Sequence, residues 1–171
     1  MKIYDISQEV FDCKVFPGDP APEREWLSQM AQGGLCNLTA FHMCAHNGTH
    51  VDAPYHFCRE GKTVDQIPLE NYVGMAYVTF CQGNVTAEAA REILKKAEAF
   101  DRRCSPRILI GGKAVLTLEA AEVFARARIL LYGNESQTVG PEDAPVEVHK
   151  KLLGAEIVLL EGIRLEGISE G

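Results

Sequence analysis

Residues 46–56 read His46-Asn47-Gly48-Thr49-His50-Val51-Asp52-Ala53-Pro54-Tyr55-His56, which places three of the chain's five histidines around one aspartate. Neutral imidazole and carboxylate are the common ligands of zinc and related divalent ions. The segment therefore points to metal-assisted hydrolysis. His46, His50, Asp52 and His56 are all even-numbered, and on an extended backbone alternate side chains share a side. A straight strand would still hold His46 and His50 roughly 13 Å apart at about 3.3 Å per residue. That is too far to share an ion that each ligand holds at about 2 Å. The chain has to reverse between them, and Asn47-Gly48 is a strong turn dipeptide. Asp52, two residues past His50, converges on the same space. Pro54 excludes regular helix or central strand and bends the chain again before His56. The expectation is a strand end that curls into a rigid loop. A metalloprotease-like helix would also place histidines four apart. It is disfavoured because Asn47, Gly48, Thr49 and Val51 are poor helix formers and no glutamate follows His46.

Other groups are open on the residues alone. Glu161 follows the apolar run Ile157-Val158-Leu159-Leu160. A carboxylate there is costly unless a cation pairs with it or solvent reaches it beside Gly162. His149 is separated from Glu161 by a helix end, Gly154 and a strand, so both can return to one end of a sheet. An exposed position beside Lys150 and Lys151 is the simpler reading of that histidine. His42, in the presumed strand before His46, should lie more than ~10 Å from the site and is read as structural, or at most as orienting a ligand. The six cysteines form no Cys-x-x-Cys pair. Cys44 and Cys58 flank the histidines, and packed reduced thiols are expected rather than sulfur ligands.

The elements that must position these groups read as a mixture of strands and helices. Strands are expected over 2–7, 36–45, 74–81, 107–111, 129–132 and 155–160. Helices are expected over 86–100, from Thr117 to about Arg126, and over 146–153, with Thr86 and Thr117 as N-caps and Gly154 as a C-terminal cap. Residues 15–22 read as a loop, 65–72 as a turn or short helix, and 24–32 remain ambiguous. No internal repeat or linker is evident, so residues 1–171 read as one α/β or α+β domain. The length suits a single core. The net charge of −7 argues against a nucleic-acid partner. No apolar run reaches the ~20 residues that span a bilayer. Met1–Asp5 carries no export pattern, and a cytoplasmic location is the expectation.

His46-x-Gly48-Thr49-His50-x-Asp52-Ala53-Pro54-x-His56-Phe57 resembles the signature of the cyclase family of metal-dependent hydrolases, which includes bacterial kynurenine formamidase and isatin hydrolase. Asp5-Ile6-Ser7 and Pro17-Gly18-Asp19 resemble its N-terminal elements, and His149-x-x-Leu152-Leu153 followed by Glu161 resembles its C-terminal ligand pair. The resemblance implies a swivelling β/β/α fold, a mixed sheet or barrel-like core flanked by helices. It implies that His46, His50 and Asp52 bind a first metal, and that Asp52 bridges to a second held with His149 and Glu161. His56 would be the proton shuttle beside them, or a further ligand. It also implies a homodimer or higher homo-oligomer whose subunits help enclose each other's pocket. The chain departs from the family pattern in a shortened middle segment, Ile110-Gly111-Gly112-Lys113. It departs again at Gly133-Asn134-Glu135-Ser136-Gln137-Thr138-Val139-Gly140, where Gly140 replaces a carboxylate.

The expected activity is hydrolysis of a carbon–nitrogen bond in a small amide or cyclic amide, with one or two Zn²⁺ or Mn²⁺ ions per chain. A bound divalent ion lowers the pKa of its water towards ~7, and an imidazole of near-neutral pKa moves the proton. Phe16, Trp26, Phe41, Tyr55 and Phe57 are candidates for an aromatic pocket wall, with core packing as the alternative for most. Lactone or ester hydrolysis, or cyclisation, would use the same site. A metal- or small-molecule-binding homologue without turnover, and a structural oligomer with a surface histidine cluster, are the rivals from other classes.

Overall fold

The computed structural model describes residues 2–171. The chain opens with an irregular segment and a hairpin of β1 (Glu23–Ser28) and β2 (Leu38–His42). Then come β3 (His50–Asp52), β4 (Tyr77–Phe80), β5 (Gly83–Val85) and α1 (Ala87–Phe100). β6 (Arg107–Gly111), β7 (Ala114–Leu116) and α2 (Leu118–Ala127) follow. β8 (Leu131–Asn134), α3 (Val146–Leu153) and β9 (Val158–Glu161) complete the order. The main sheet runs β3-β9-β8-β6-β4, with β3 antiparallel to β9 and the other pairs parallel. It is a mixed sheet flanked by three helices.

Strand alternation assigns the two faces. Tyr77, Ile108, Ile110, Tyr132 and Leu159 enter the core shared with the helices. Val51, Val78, Leu109, Leu131, Val158 and Leu160 pack on the opposite face, against Ile67, Ile163 and Leu165. Each helix contributes a stripe at helical spacing: Ala90, Ile93 and Ala97 from α1, Ala120, Ala121 and Phe124 from α2, and Val148, Leu152 and Leu153 from α3. The same alternation places His50 and Asp52, with Leu159 and Glu161 opposite them in register, on the helix-facing side. Among the described residues no helix is long and apolar enough to cross a membrane.

Several expectations change. Residues 2–7 form no strand; Ile3 is exposed, while Ile6 packs against the outer face. The ambiguous segment around Trp26 is β1. The strand expected over 36–45 shortens to β2, which joins the hairpin and not the main sheet. The histidine loop contains β3, three residues long and too short for periodicity to reveal. β5 and β7 are equally short and pair in parallel. They make β4-β5-α1 and β6-β7-α2 two copies of one unit, a repetition that the sequence reading did not find. In each copy a threonine ends the small strand and caps the helix, Thr86 Oγ1 accepting from Ala89 N and Thr117 Oγ1 from Ala120 N, both at 3.2 Å. Gly154 does cap α3, its N–H reaching Lys150 O, but in a right-handed conformation; the left-handed residue after the helix is Glu156. The 65–72 segment, as expected, is turn-like, forming two 3-10 turns, Val64–Gln66 and Leu69–Asn71.

Phe124 of α2 is fully buried and stacks at 5.5 Å against Tyr132 of β8. Phe124→Ala should cost about 3–5 kcal/mol, read as a lower denaturant midpoint with an unchanged slope.

Candidate metal centre

The backbone between His46 and His50 reverses as their spacing demands. Asn47 N donates to Cys44 O at 3.1 Å, and the Asn47 carboxamide returns to accept from Cys44 N at 2.8 Å. Gly48 then adopts φ +69°, a conformation that a Cβ disfavours. The His46 Nδ1 and His50 Nε2 atoms end 3.0 Å apart. Asp52 Oδ1 stands 3.1 Å from the first and 3.6 Å from the second.

The second half of the cluster comes from the C-terminal region. His149 lies on the buried stripe of α3, and Glu161 is the last residue of β9, registered with His50. His149 Nε2 stands 3.2 Å from Glu161 Oε1 and 3.7 Å from Asp52 Oδ2. Glu161 Oε2 is 3.4 Å from His50 Nε2. The ligand-type atoms thus form two groups, His46/His50/Asp52 and Asp52/His149/Glu161, sharing Asp52. Atoms held about 2.0–2.1 Å from a tetrahedral ion stand about 3.3–3.4 Å apart, close to these separations.

The protons argue for a cation more strongly than the distances do. His50 Nδ1 donates to Gly48 O at 3.1 Å and His149 Nδ1 to Pro145 O at 2.8 Å. A neutral imidazole that donates through Nδ1 presents a lone pair at Nε2. Both lone pairs then face carboxylate oxygens, which are also acceptors. Neither oxygen of Asp52 has a hydrogen-bond donor, although the residue is 2% exposed. Two buried carboxylates among acceptors carry a desolvation cost that a divalent cation relieves. The site fits such an ion.

Without the ion, protons take its place. The Asp52 contact holds His46 above its usual pKa against burial. Burial pushes His50 and His149 down, but their bonds to Glu161 and to backbone carbonyls outweigh it and leave both raised. Burial raises Asp52, and the close His46 imidazole with the other nearby imidazole charges more than reverses that. His56 differs. Its side chain is 35% exposed with Nε2 3.7 Å from Asp52 Oδ2, and burial, helped by neighbouring imidazoles, lowers it.

A cavity of ≈ 190 Å³ opens onto the cluster and is walled by Phe16, Asp19, Phe57, Thr138 and Pro145. A larger hollow of ≈ 560 Å³, beside Lys62, Arg128 and Glu156, contains none of these histidines. Of the five candidate wall aromatics, Phe16 and Phe57 line the small cavity. Trp26, Phe41 and Tyr55 are exposed on the hairpin and beside Pro54, neither wall nor core. His42 is exposed on β2 and belongs to neither ligand group nor to the cavity lining. Cys44 and Cys58 are free thiols outside both ligand groups. Gly140 has a packing reason: a Cβ there would stand 3.0 Å from Val148 Cβ, so the missing carboxylate reflects the close approach of α3.

Asp19, Gln137 and Thr138 are cavity residues that the sequence reading did not assign. Gln137 had no usable signal, because its carboxamide acts through folded backbone, donating to Lys14 O at 2.8 Å and to Gly48 O at 3.3 Å. His149 did have one: Leu152 and Leu153, three and four residues on, mark it as part of the apolar stripe.

The cyclase family model matches residues 4–141. The chain belongs to the cyclase family. It is 30% identical to kynurenine formamidase of Salinibacter ruber, over 100% of this chain and 86% of that protein. It is 27% identical to kynurenine formamidase of Paracidovorax citrulli, over 99% and 85%. A solved structure described as a potential metal-dependent hydrolase with cyclase activity superposes with TM-score 0.80 at 22% identity, covering 99% of this chain and 85% of its own. Isatin hydrolase A of Labrenzia aggregata, bound to benzyl benzoate, superposes with TM-score 0.74 at 21% identity, covering 95% and 80%. These superpositions place this cyclase-family chain in their fold.

Two outcomes test the cluster. Asp52→Ala should abolish divalent metal binding in both groups, whereas His149→Ala should empty only its own, measured by elemental analysis after reconstitution. Linkage gives the second. Raised histidines stabilise the metal-free protein fully below their unfolded pKa of 6.5, and that stability is lost as pH rises through the raised values. The lowered Asp52 acts only on the acid side, and the lowered His56 offsets part of the effect. Metal-free protein should therefore melt lower at about pH 8.5 than at about pH 6. Metal-loaded protein should show the reverse order, because protons compete with the cation.

Proposed function

We propose that this chain is a metal-dependent hydrolase of a small aryl amide or cyclic amide, of the formamidase kind. The observation that carries the reading is the set of acceptor atoms from His46, His50, Asp52, His149 and Glu161 at ligand spacing, with Asp52, His149 and Glu161 buried and all but His50 lining a cavity. The kynurenine formamidase relatives support the amide bond as the target.

His46, His50 and Asp52 would hold one divalent cation, and Asp52 with His149 and Glu161 would hold a second. Imidazole and carboxylate donors suit zinc, or manganese given the two acids. When bound, the cation polarises a carbonyl oxygen and brings the pKa of water to about 7. The chain's own residues supply the rest. Carbonyls of Gly48 and Pro145 fix the tautomers of His50 and His149, as outer hydrogen bonds do in metal sites. Phe16 and Phe57 offer apolar walls for an aryl ring and exclude water from it.

His56 stands at the rim, facing both the cavity and Asp52. Its lowered pKa keeps it neutral near pH 7, so it accepts one proton of water as the oxygen adds to the carbonyl carbon. It returns that proton to the nitrogen as the C–N bond breaks. One water is consumed, and an acid and an amine are released. A homodimer or larger homo-oligomer is part of this proposal. Trp26, Leu27, Leu35 and Phe41 leave the β1–β2 hairpin with an apolar surface of the kind that marks contact sites.

His56→Ala should retain the bound metal and lower kcat on N-formyl aromatic amines by about 10²–10⁴-fold, followed by release of the free amine. Loss of metal in this variant would make His56 a ligand and end its role as the proton carrier. Turnover of lactones in place of every amide tested would move the activity to ester chemistry at the same centre.

A further inference from the structure

Gln137 is buried, with 6% of its surface exposed, where the loop after β8 meets the histidine turn and the cavity. Its carboxamide nitrogen faces three main-chain carbonyls. It donates to Lys14 O at 2.8 Å, to Gly48 O at 3.3 Å and to His46 O at 3.4 Å. The group has two hydrogens for three acceptors. One serves Lys14, and the other is shared by the two carbonyls that bracket the reversal between His46 and His50. The carboxamide oxygen accepts from Gln8 Nε2 at 3.3 Å, so the network allows one orientation of the amide.

The Gly48 carbonyl is the link to a cation. It also accepts from His50 Nδ1 at 3.1 Å, and that bond leaves the Nε2 lone pair for a metal. Gly48 has φ +69° and no Cβ, so its peptide plane is held by hydrogen bonds and not by a side chain of its own. Gln137 meets the carbonyl's second lone pair and fixes its direction. The seat is closely built: a Cβ at Gly162 would collide with the Gln137 carboxamide oxygen and stand 2.6 Å from Gly48 O. The Asp52/His149/Glu161 group is braced differently. Glu161 Oε1 accepts from Val139 N at 2.9 Å, Gly162 N donates to Ser136 O at 2.8 Å, and His149 Nδ1 donates to Pro145 O at 2.8 Å. Each of these bonds uses main chain of residues 136–145, and none uses the Gln137 side chain.

We propose that Gln137 is a positioning residue for the His46/His50/Asp52 group alone. Through the Gly48 and His46 carbonyls it sets how tightly that group holds a divalent cation, without touching the ion. The inference rests on the metal centre of the proposed hydrolase and not on its substrate. Loss of an outer hydrogen bond of this kind weakens metal affinity by about 10–100-fold.

The two groups can be read separately, because His149→Ala keeps the first and His46→Ala keeps the second. Zn²⁺ affinity is measured in each background by competition with a chromophoric chelator. Adding Gln137→Leu, which is of similar size but has no N–H to give, should weaken zinc about 10–100-fold in His149→Ala and leave it unchanged in His46→Ala. A merely structural role would weaken both backgrounds alike or neither, and either result overturns the proposal. The His50 Nδ1–H resonance of the zinc-saturated protein gives a second readout. Its exchange with solvent should be faster in Gln137→Leu than in the parent, and an unchanged rate overturns the link through Gly48. Gln137→Met, unbranched and also without a donor, carries the same expectations if the leucine variant does not fold. If the split in zinc affinity is found while no amide is turned over, the hydrolase reading fails and the positioning role stands. If amides are turned over and the split is absent, the positioning role alone fails.

Discussion

Two carboxylates, Asp52 and Glu161, are buried together with only acceptor atoms turned toward most of their lone pairs. Much of the surrounding structure makes sense as a consequence. Glu161 has one donor of its own, Val139 N at 2.9 Å, and Asp52 has none. Leaving water without such partners is unfavourable for one carboxylate and more so for two in contact. A protein that keeps this arrangement must either protonate the imidazoles around it or admit a cation. Near neutral pH the second route leaves the histidines neutral and their lone pairs directed inward.

The fold meets this constraint by bringing distant segments to one point. β3 is a three-residue strand at the sheet edge, and its antiparallel pairing with β9 sets His50 opposite Glu161. Leu159 holds that register from the helix side, and α3 closes over it with Val148, Leu152 and Leu153. The loop after β8 supplies Gln137, whose carboxamide reaches Lys14, Gly48 and the N-terminal Gln8 at once. Gly162 follows Glu161 with φ +69°, and a Cβ there would come within 2.2 Å of the Gln137 carboxamide. Small residues are required where three segments meet at one carbonyl.

Helices α1 and α2, with their threonine caps, were legible because each combines a cap with a stripe of small apolar residues. The buried parallel strands were legible as short apolar runs. The three short strands were not, since three residues hold too little periodicity and are stabilised by a partner instead of by their own pattern. β5 and β7 exist because each pairs with the other. The sequence likewise offered no reason for Trp26 and Phe41 to lie exposed on a hairpin, as exposure depends on what covers a surface.

Local chemistry in residues 46–56 determined the turn at Gly48, the direction of three ligand-type side chains and the kind of ion they suit. Those follow from bond geometry and donor type, which act over a few residues. The tertiary structure decided that His149 is buried and not exposed, that Glu161 faces His50, and that Asp19 shares the cavity while His42 does not. Sheet register and helix packing are long-range; they rest on the summed burial of a core that no short stretch of sequence contains.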